Sequence, residues 1–212
     1  MSTTRTLLAD LGFPEGPRWR DGRLWFSDFH DQRVRAVAAD GTAQTVLQLD
    51  DAPSGLGWSP AGELLVVSMQ RRALLRVTEG GPQVVAELGS WVPGPVNDMV
   101  VDSTGAAYIG NFGFDLLGGA APQPTALLRV APDGEVSVAA EDLHFPNGMC
   151  LADGGRTLVV AETYGQRLTA FDVGADGGLS RRRVFAELEA GVAPDGICLD
   201  AEGQVWVATA RT

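Results

Sequence analysis

The sequence predicts an all-β fold, a β-propeller built from repeated blades of short antiparallel strands. Two observations lead to this prediction. Short related motifs, called anchors here, recur five times at intervals of 40 to 50 residues, a period that suits four strands per unit. Each anchor opens a short apolar segment that is followed by a Gly-containing turn and another strand-like segment, which is a hairpin signal. The anchors are residues 13–19, 53–58, 95–100, 145–151 and 194–199.

The elements follow the same order in each unit. In the first unit, Asp21-Gly22 and Asp40-Gly41 are hairpin turns between alternating segments. The predicted strands of the first two units are 15–20, 23–28, 33–38, 43–49, 56–59, 63–68, 73–78 and 83–88. Those of the third and fourth units are 98–102, 106–111, 126–130, 135–140, 149–152, 157–162, 167–173 and 179–188. The fifth unit has two, 197–200 and 204–208, and residues 112–124 are a Gly-, Ala- and Pro-rich loop that we expect to border a site.

We therefore expect one domain over residues 1–212. Its blades cover approximately 15–50, 55–88, 97–140, 147–188 and, as a partial fifth, 195–212. Residues 4–10 precede the first anchor as an outermost strand precedes the later anchors, which predicts a clasp strand of the closing blade. The sequence thus predicts an incomplete ring of about four and a half blades, with its C-terminal part missing.

Composition limits the classes of partner. The formal net charge of -11 and the pI near 4.5 argue against nucleic acid, which requires basic patches. No apolar segment suggests a signal peptide or a membrane span. We expect a cytoplasmic protein that acts on a small molecule and has no evident obligate protein partner. Cys150 and Cys198 hold the same position after their anchors, and we interpret them as small buried residues rather than a disulfide or a metal site.

Four of the five anchors carry an oxygen-bearing side chain at one register: Glu15, Asn97, Asn147 and Asp195. The second anchor has Ser54 and Gly55 there instead. Most Asn-Gly and Asp-Gly pairs only mark turns, but these anchors open the first strand of a blade, where symmetry places their side chains around one axis. Two carboxylates and two amides form an oxygen-only set that suits Ca²⁺ best, with Mg²⁺, Mn²⁺ or Zn²⁺ as alternatives.

These residues also carry a family resemblance. The chain resembles the SMP-30/gluconolactonase/regucalcin-like (LRE) family, whose fold is a six-bladed β-propeller. The resemblance implies a divalent cation held by Glu15, Asn147 and Asp195, with Asn97 binding the ion or the substrate beside it. It also implies that Asp195 is the catalytic base or nucleophile. The matching stretches are Glu15-Gly16-Pro17, Asn97-Asp98, Phe145-Pro146-Asn147-Gly148-Met149, Ala161-Glu162-Thr163 and Pro194-Asp195-Gly196.

The leading functional hypothesis is a divalent-metal-dependent hydrolase, a lactonase or esterase that acts on a small molecule. The ion would polarise the ester carbonyl, and Asp195 would activate water or attack directly. Asn97, Asn111 and His144 are candidate substrate contacts; His144 lies just before an anchor, and His30 lies in a predicted turn. Two alternatives are a non-catalytic propeller that binds Ca²⁺ or a small ligand, and a hydrolase of another ester class such as organophosphates.

Overall fold

The computed structural model describes residues 4–116 and 118–210. These residues form eighteen strands, arranged as four four-stranded antiparallel sheets and one two-stranded sheet. In the described part of the chain the only helical element is a single 3₁₀ turn, Asp153–Gly155. This architecture confirms the prediction of an all-β propeller with four blades and part of a fifth.

Within each sheet the strands follow one another in sequence order, so each blade is an antiparallel meander. The first blade comprises β1 (Pro14–Arg20), β2 (Arg23–Asp28), β3 (Arg33–Ala38) and β4 (Ala43–Gln48). The second comprises β5 (Pro53–Trp58), β6 (Leu64–Ser68), β7 (Ala73–Thr78) and β8 (Gly81–Glu87). The third comprises β9 (Val96–Val101), β10 (Ala107–Asn111), β11 (Thr125–Val130) and β12 (Val136–Leu143). The fourth comprises β13 (Pro146–Ala152), β14 (Thr157–Glu162), β15 (Arg167–Val173) and β16 (Leu179–Glu187), and the fifth β17 (Ala193–Leu199) and β18 (Val205–Ala210).

The core consists of apolar layers between consecutive blades. Strand β14 shows how the layers arise, because all six of its residues are buried. Leu158 and Val160 join the layer shared with the third blade, while Val159 and Ala161 join the layer shared with the fifth. Since side chains alternate across a strand, a strand between two blades must be apolar on both faces. The blades are therefore packed face to face.

Two further expectations concern the N-terminal segment and the cysteines. Residues 4–10, predicted as a clasp strand of the closing blade, have no regular secondary structure and pair with none of the described strands, so the clasp stays a prediction. Arg5 of this segment instead donates a hydrogen bond to the carbonyl of Ala39 in the first blade. Cys150 is buried as expected, and burial is the main reason that its thiol pKa rises to about 11, whereas Cys198 is exposed. Both cysteines are free.

Among the described residues, no helix has the length and hydropathy needed to cross a membrane.

Candidate active site

The anchors lie on the innermost strands of the blades. β1, β5, β9, β13 and β17 neighbour one another in that order around the axis. Each of them shows a shift in register against its hairpin partner at the anchor itself, as between Pro146 and Met149 in β13. Such bulges interrupt the alternation of side chains and re-aim them. Because the bulge recurs at every anchor, residues at the same anchor position in successive blades direct polar side chains toward the axis.

The glycine beside the anchor register lets adjacent innermost strands approach closely. A Cβ atom added to Gly148 would lie 2.4 Å from the carbonyl oxygen of Asp195. One added to Gly55 would lie 2.5 Å from the amide nitrogen of Met99. Real Cβ atoms do not approach other atoms this closely, so a larger residue would push the blades apart. Close approach in turn brings the anchor side chains within hydrogen-bond distance of one another.

A chain of hydrogen bonds links the anchors of four blades. The hydroxyl of Ser54 donates to Oδ1 of Asn97 at 2.9 Å, and Nδ2 of Asn97 donates to Oδ1 of Asn147 at 2.9 Å. Nδ2 of Asn147 then donates to Oδ1 of Asp195 at 2.8 Å. Sequence reasoning missed the part played by Ser54, although Ser54 occupies the anchor of the second blade. We call Glu15, Asn97, Asn147 and Asp195 the anchor ring.

Thr163 fixes the orientation of the Asn147 amide. Its hydroxyl lies 2.8 Å from the carbonyl oxygen of Pro194, which can only accept, so the single hydroxyl proton is used there. The same hydroxyl oxygen must therefore accept from Asn147, whose Nδ2 lies 3.1 Å away. Nδ2 thus faces Thr163 and Asp195, and Oδ1 faces the other way, toward Asn97. Thr163 belongs to the Ala161-Glu162-Thr163 stretch noted in the sequence, but its role depends on Pro194 in the neighbouring blade.

The carboxylates of the site lie in different electrostatic surroundings. Burial, followed by the charges of Asp195 and Asp98, raises the pKa of Glu15 to about 7. Burial also raises the pKa of Asp195, partly offset by the hydrogen bond from Asn147. Asp98 has a direct partner, because Nη2 of Arg18 lies 2.8 Å from its Oδ1. Glu15 and Asp195 are therefore two poorly solvated carboxylates in a place that favours added positive charge.

All four residues of the anchor ring line one cavity of about 310 Å³. Asn97 and Asn147 are each only 5% exposed, so the amides form the floor rather than the rim. A neighbouring cavity of about 510 Å³ shares Glu15, Asn147 and Asp195 and extends along β17 and β18. The structure thus brings the four predicted ring residues together in one cavity, and three of them also line the second.

The other two predicted substrate contacts lie elsewhere. Asn111 is fully buried, and its amide is used within the third blade: it donates to the carbonyl of Ala126 at 2.7 Å and accepts from the hydroxyl of Thr125 at 2.7 Å. His144 is exposed and lines neither cavity. Conversely, His30 lines the smaller cavity, as do Phe112 and Leu116 from the predicted loop 112–124.

Glu162 holds the fourth anchor in place. It is fully buried, and its carboxylate accepts from the backbone nitrogen of His144 at 2.8 Å and from Nε of Arg167 at 2.9 Å. Burial alone would raise its pKa, but the hydrogen bonds from Arg167 and Thr169 outweigh burial and lower it. Glu162 therefore stays charged and ties the segment before β13 to the end of β14.

The donor set at the floor suits a hard divalent cation. Its ligands would be carboxylate and amide oxygens, which Ca²⁺ prefers. Burial, and after it the charges of Asp195 and Asp98, raise the pKa of Glu15, so a cation there would have an incompletely solvated carboxylate to bind. Within residues 4–116 and 118–210, no group of three or more His, Cys, Asp or Glu side chains is arranged to hold an ion. A site at the ring would therefore depend on its amide oxygens as well as its two carboxylates.

Known proteins provide an independent comparison. The sequence model of the SMP-30/Gluconolactonase/LRE-like region matches residues 13–212. Over 212 residues the chain is 26% identical to a pentonolactonase of Haloferax volcanii, with 98% of this chain and 70% of that protein covered. The chain therefore spans about 70% of the length of that relative.

Solved structures are also similar to this chain. A gluconolactonase from Xanthomonas campestris matches with a TM-score of 0.80 and 30% identity, covering 95% of this chain and 71% of the other. A calcium-binding protein, regucalcin, from Agrobacterium tumefaciens matches with a TM-score of 0.81 and 25% identity, covering 98% and 71%. The fold and the order of its blades are thus similar to those of solved propellers over nearly the whole chain.

Proposed function

Because the chain belongs to the SMP-30/Gluconolactonase/LRE-like family, we propose that it is a divalent-metal-dependent hydrolase of lactones and related carboxylic esters. The observation that carries this proposal is the anchor ring, which gathers two carboxylates and two amides at the floor of one cavity. Relatives described as a pentonolactonase and a gluconolactonase support the choice of lactones. In the reaction, water adds across the acyl C–O bond and releases the hydroxy acid.

Glu15, Asn147 and Asp195 would hold the cation, with Asn97 beside it. Ca²⁺ fits this oxygen-only set best, and Mg²⁺, Mn²⁺ or Zn²⁺ would be alternatives. When bound, a divalent cation polarises the carbonyl oxygen of an ester and offsets the negative charge that develops there.

Asp195 is the proposed base. Its carboxylate lines both cavities, where it can reach a bound water and an ester carbonyl. The hydrogen bond from Asn147 occupies Oδ1 and fixes the plane of the carboxylate. Asp195 takes a proton from the attacking water, and that proton passes to the alkoxide that leaves when the acyl C–O bond breaks. Alternatively its carboxylate attacks the acyl carbon and displaces the alkoxide, and water then hydrolyses the resulting anhydride.

The ring orients what enters the cavity. Asn97 is held at both ends of its amide, by Ser54 and by Asn147, so it cannot rotate without breaking two hydrogen bonds. A side chain fixed in this way is preorganised to contact substrate at the floor.

The direct test is hydrolysis of a lactone panel, followed by proton release, with and without EDTA. We expect activity that EDTA removes and that Ca²⁺ or another divalent cation restores. Asp195→Asn should lower kcat by about 10²–10⁴-fold, the usual contribution of a general base. The control is Asp21→Asn, the same change at a side chain that is 81% exposed and outside both cavities.

Three results would count against the proposal. Hydrolysis that EDTA leaves unchanged would remove metal dependence, and wild-type kcat in Asp195→Asn would remove Asp195 as the base. Binding of Ca²⁺ with no hydrolysis of any lactone or ester would favour a binding protein, like the calcium-binding regucalcin of Agrobacterium tumefaciens.

A further inference from the structure

We propose that the non-reacting part of the substrate is apolar and flat, so that the substrate is a lactone or ester with an aryl substituent, not a polyhydroxylated sugar lactone. The reaction type rests on the proposed function. The shape and polarity of the substituent rest on the walls of the 310 Å³ cavity above the anchor ring.

One wall of this cavity comes from the first blade. Phe13, Phe29 and His30 form an aromatic triad, with ring centroids 6.0 Å apart for Phe13 and Phe29 and 4.8 Å apart for Phe29 and His30. Both pairs meet edge to face, at 65° and 75°. Edge-to-face contacts hold rings in defined orientations and leave ring surfaces free for a further aromatic partner. Phe13 keeps half of its surface exposed, so it remains available for contact.

A second wall comes from the third and fourth blades. The rings of Phe112 and Phe145 lie 4.4 Å apart at 63°, and Leu116 of the same loop adds to the lining. Between the two walls, the second blade contributes Met69, a buried and adaptable thioether side chain. Apolar side chains from four blades thus surround one space.

Backbone strain is found in the second wall. Phe145 has φ = 55°, in the left-handed region that a bulky residue rarely adopts. Its conformation persists because its carbonyl accepts from the backbone nitrogen of Thr163 at 3.1 Å and its ring packs on Phe112. Strained residues of this kind cluster at ligand sites, where the surrounding structure fixes them in place. Here the strained residue contributes its phenyl group to the lining of the cavity that also contains the anchor ring.

Polar groups are scarce away from the floor. Apart from the anchor ring and Thr163, His30 and Gln70 are the polar side chains among the described residues that line this cavity, and both are exposed at its rim. A sugar lactone would have to leave several hydroxyl groups against phenyl rings without partners, which is costly. An apolar substituent would instead replace water at surfaces that gain from losing it. The lining therefore favours an apolar substituent.

The test compares three δ-lactones with the same ring: δ-phenyl-δ-valerolactone, unsubstituted δ-valerolactone and the polyhydroxylated glucono-δ-lactone. We expect kcat/KM to be about tenfold or more higher for the phenyl lactone than for the unsubstituted one, and lowest for the polyhydroxylated one. The non-hydrolysable 6-phenylpiperidin-2-one, titrated by calorimetry, measures recognition without turnover. It should bind, whereas unsubstituted piperidin-2-one should bind at least tenfold more weakly.

Substitutions test which side chains cause the preference for the phenyl lactone. Phe112→Ala and Phe13→Ala should each reduce the ratio of kcat/KM for the phenyl lactone over the unsubstituted lactone by about tenfold. Phe13 is half exposed, so its replacement keeps the test open should Phe112→Ala fold poorly. The control is Phe185→Ala on β16, which is 49% exposed and lines neither cavity, and which should leave the ratio unchanged.

The outcomes separate the two claims. A preference for glucono-δ-lactone would overturn the apolar substrate class and leave the lactonase proposal standing. Binding of the phenyl lactam without hydrolysis of any lactone would support the apolar class and overturn the lactonase proposal. Absence of both binding and hydrolysis would overturn both.

Discussion

Replacing Thr163 by Val should weaken metal binding without a change in any proposed ligand. Thr163 forces Nδ2 of Asn147 to face Asp195, and its own proton goes to the carbonyl of Pro194. Valine has nearly the same shape but neither accepts nor donates, so Nδ2 of Asn147 loses one of its two acceptors and keeps only Asp195. The carbonyl of Pro194 also loses its donor.

The magnitude follows from the loss of one contact to a proposed metal ligand. Removing a residue that orients a metal ligand usually lowers metal affinity about 10–100-fold, so we expect Ca²⁺ to bind Thr163→Val more weakly by about that factor. The donor lost by the carbonyl of Pro194 costs about 1–3 kcal/mol of stability, whether or not the ion is bound. Isothermal titration calorimetry with Ca²⁺ measures the change in affinity directly.

Two further variants make the result specific. Thr163→Ser keeps the hydroxyl and should keep most of the affinity. Thr125→Val removes an equally buried hydroxyl that donates to Asn111 at 2.7 Å, away from the anchor ring. It should cost a similar amount of stability in thermal denaturation but leave Ca²⁺ affinity unchanged. Wild-type affinity in Thr163→Val, or an equal loss in Thr125→Val, would refute the assigned role of Thr163.

Two other predictions concern the scaffold. The pKa of Glu162 is lowered below its usual value of 4.5 in the folded chain, so its contribution to stability is present above about pH 4.5 and is lost as pH falls. Glu162→Gln should therefore flatten the acid limb of a denaturation series from pH 7 to 3, whereas the exposed Glu189→Gln should not; an unchanged limb in Glu162→Gln would contradict this. Gly148→Ala should cost about 1–3 kcal/mol in urea denaturation, because its Cβ would meet β17, while Gly196→Ala, whose Cβ would meet nothing within 4 Å, should stay within about 0.5 kcal/mol. Equal stabilities of these two glycine variants would show that the innermost strands are less tightly packed than described.

The recurring anchors were enough to predict the blades and to choose Glu15, Asn97, Asn147 and Asp195. A motif repeated once per blade must occupy equivalent places around one axis, so position in the sequence translates directly into position in space. Residues 4–10 lie outside that reasoning. Their pattern resembles an outer strand of the closing blade, whose other strands the repeats do not supply, and no described strand pairs with this segment, so the clasp stays a prediction.

Other features depend on contacts between blades that no single repeat encodes. Asn111 looked available for substrate, yet Thr125 and Ala126 in the neighbouring strand use its amide. The role of Thr163 requires Pro194 of the next blade. The aromatic walls of the cavity combine residues from distant parts of the chain, such as Phe13 and Phe112, and nothing in the local sequence of either indicates the other.

The location of the bound cation tests the account most directly. Crystals soaked in Mn²⁺ and measured near the manganese absorption edge would show the ion by anomalous scattering, independently of any assay of activity. We predict one strong peak at the floor of the cavity, about 2.0–2.6 Å from oxygens of Glu15, Asn147 and Asp195, the range of metal–oxygen distances for hard cations. A peak elsewhere in the molecule, or no peak at a concentration that supports hydrolysis, would contradict the assignment of the anchor ring as the metal centre.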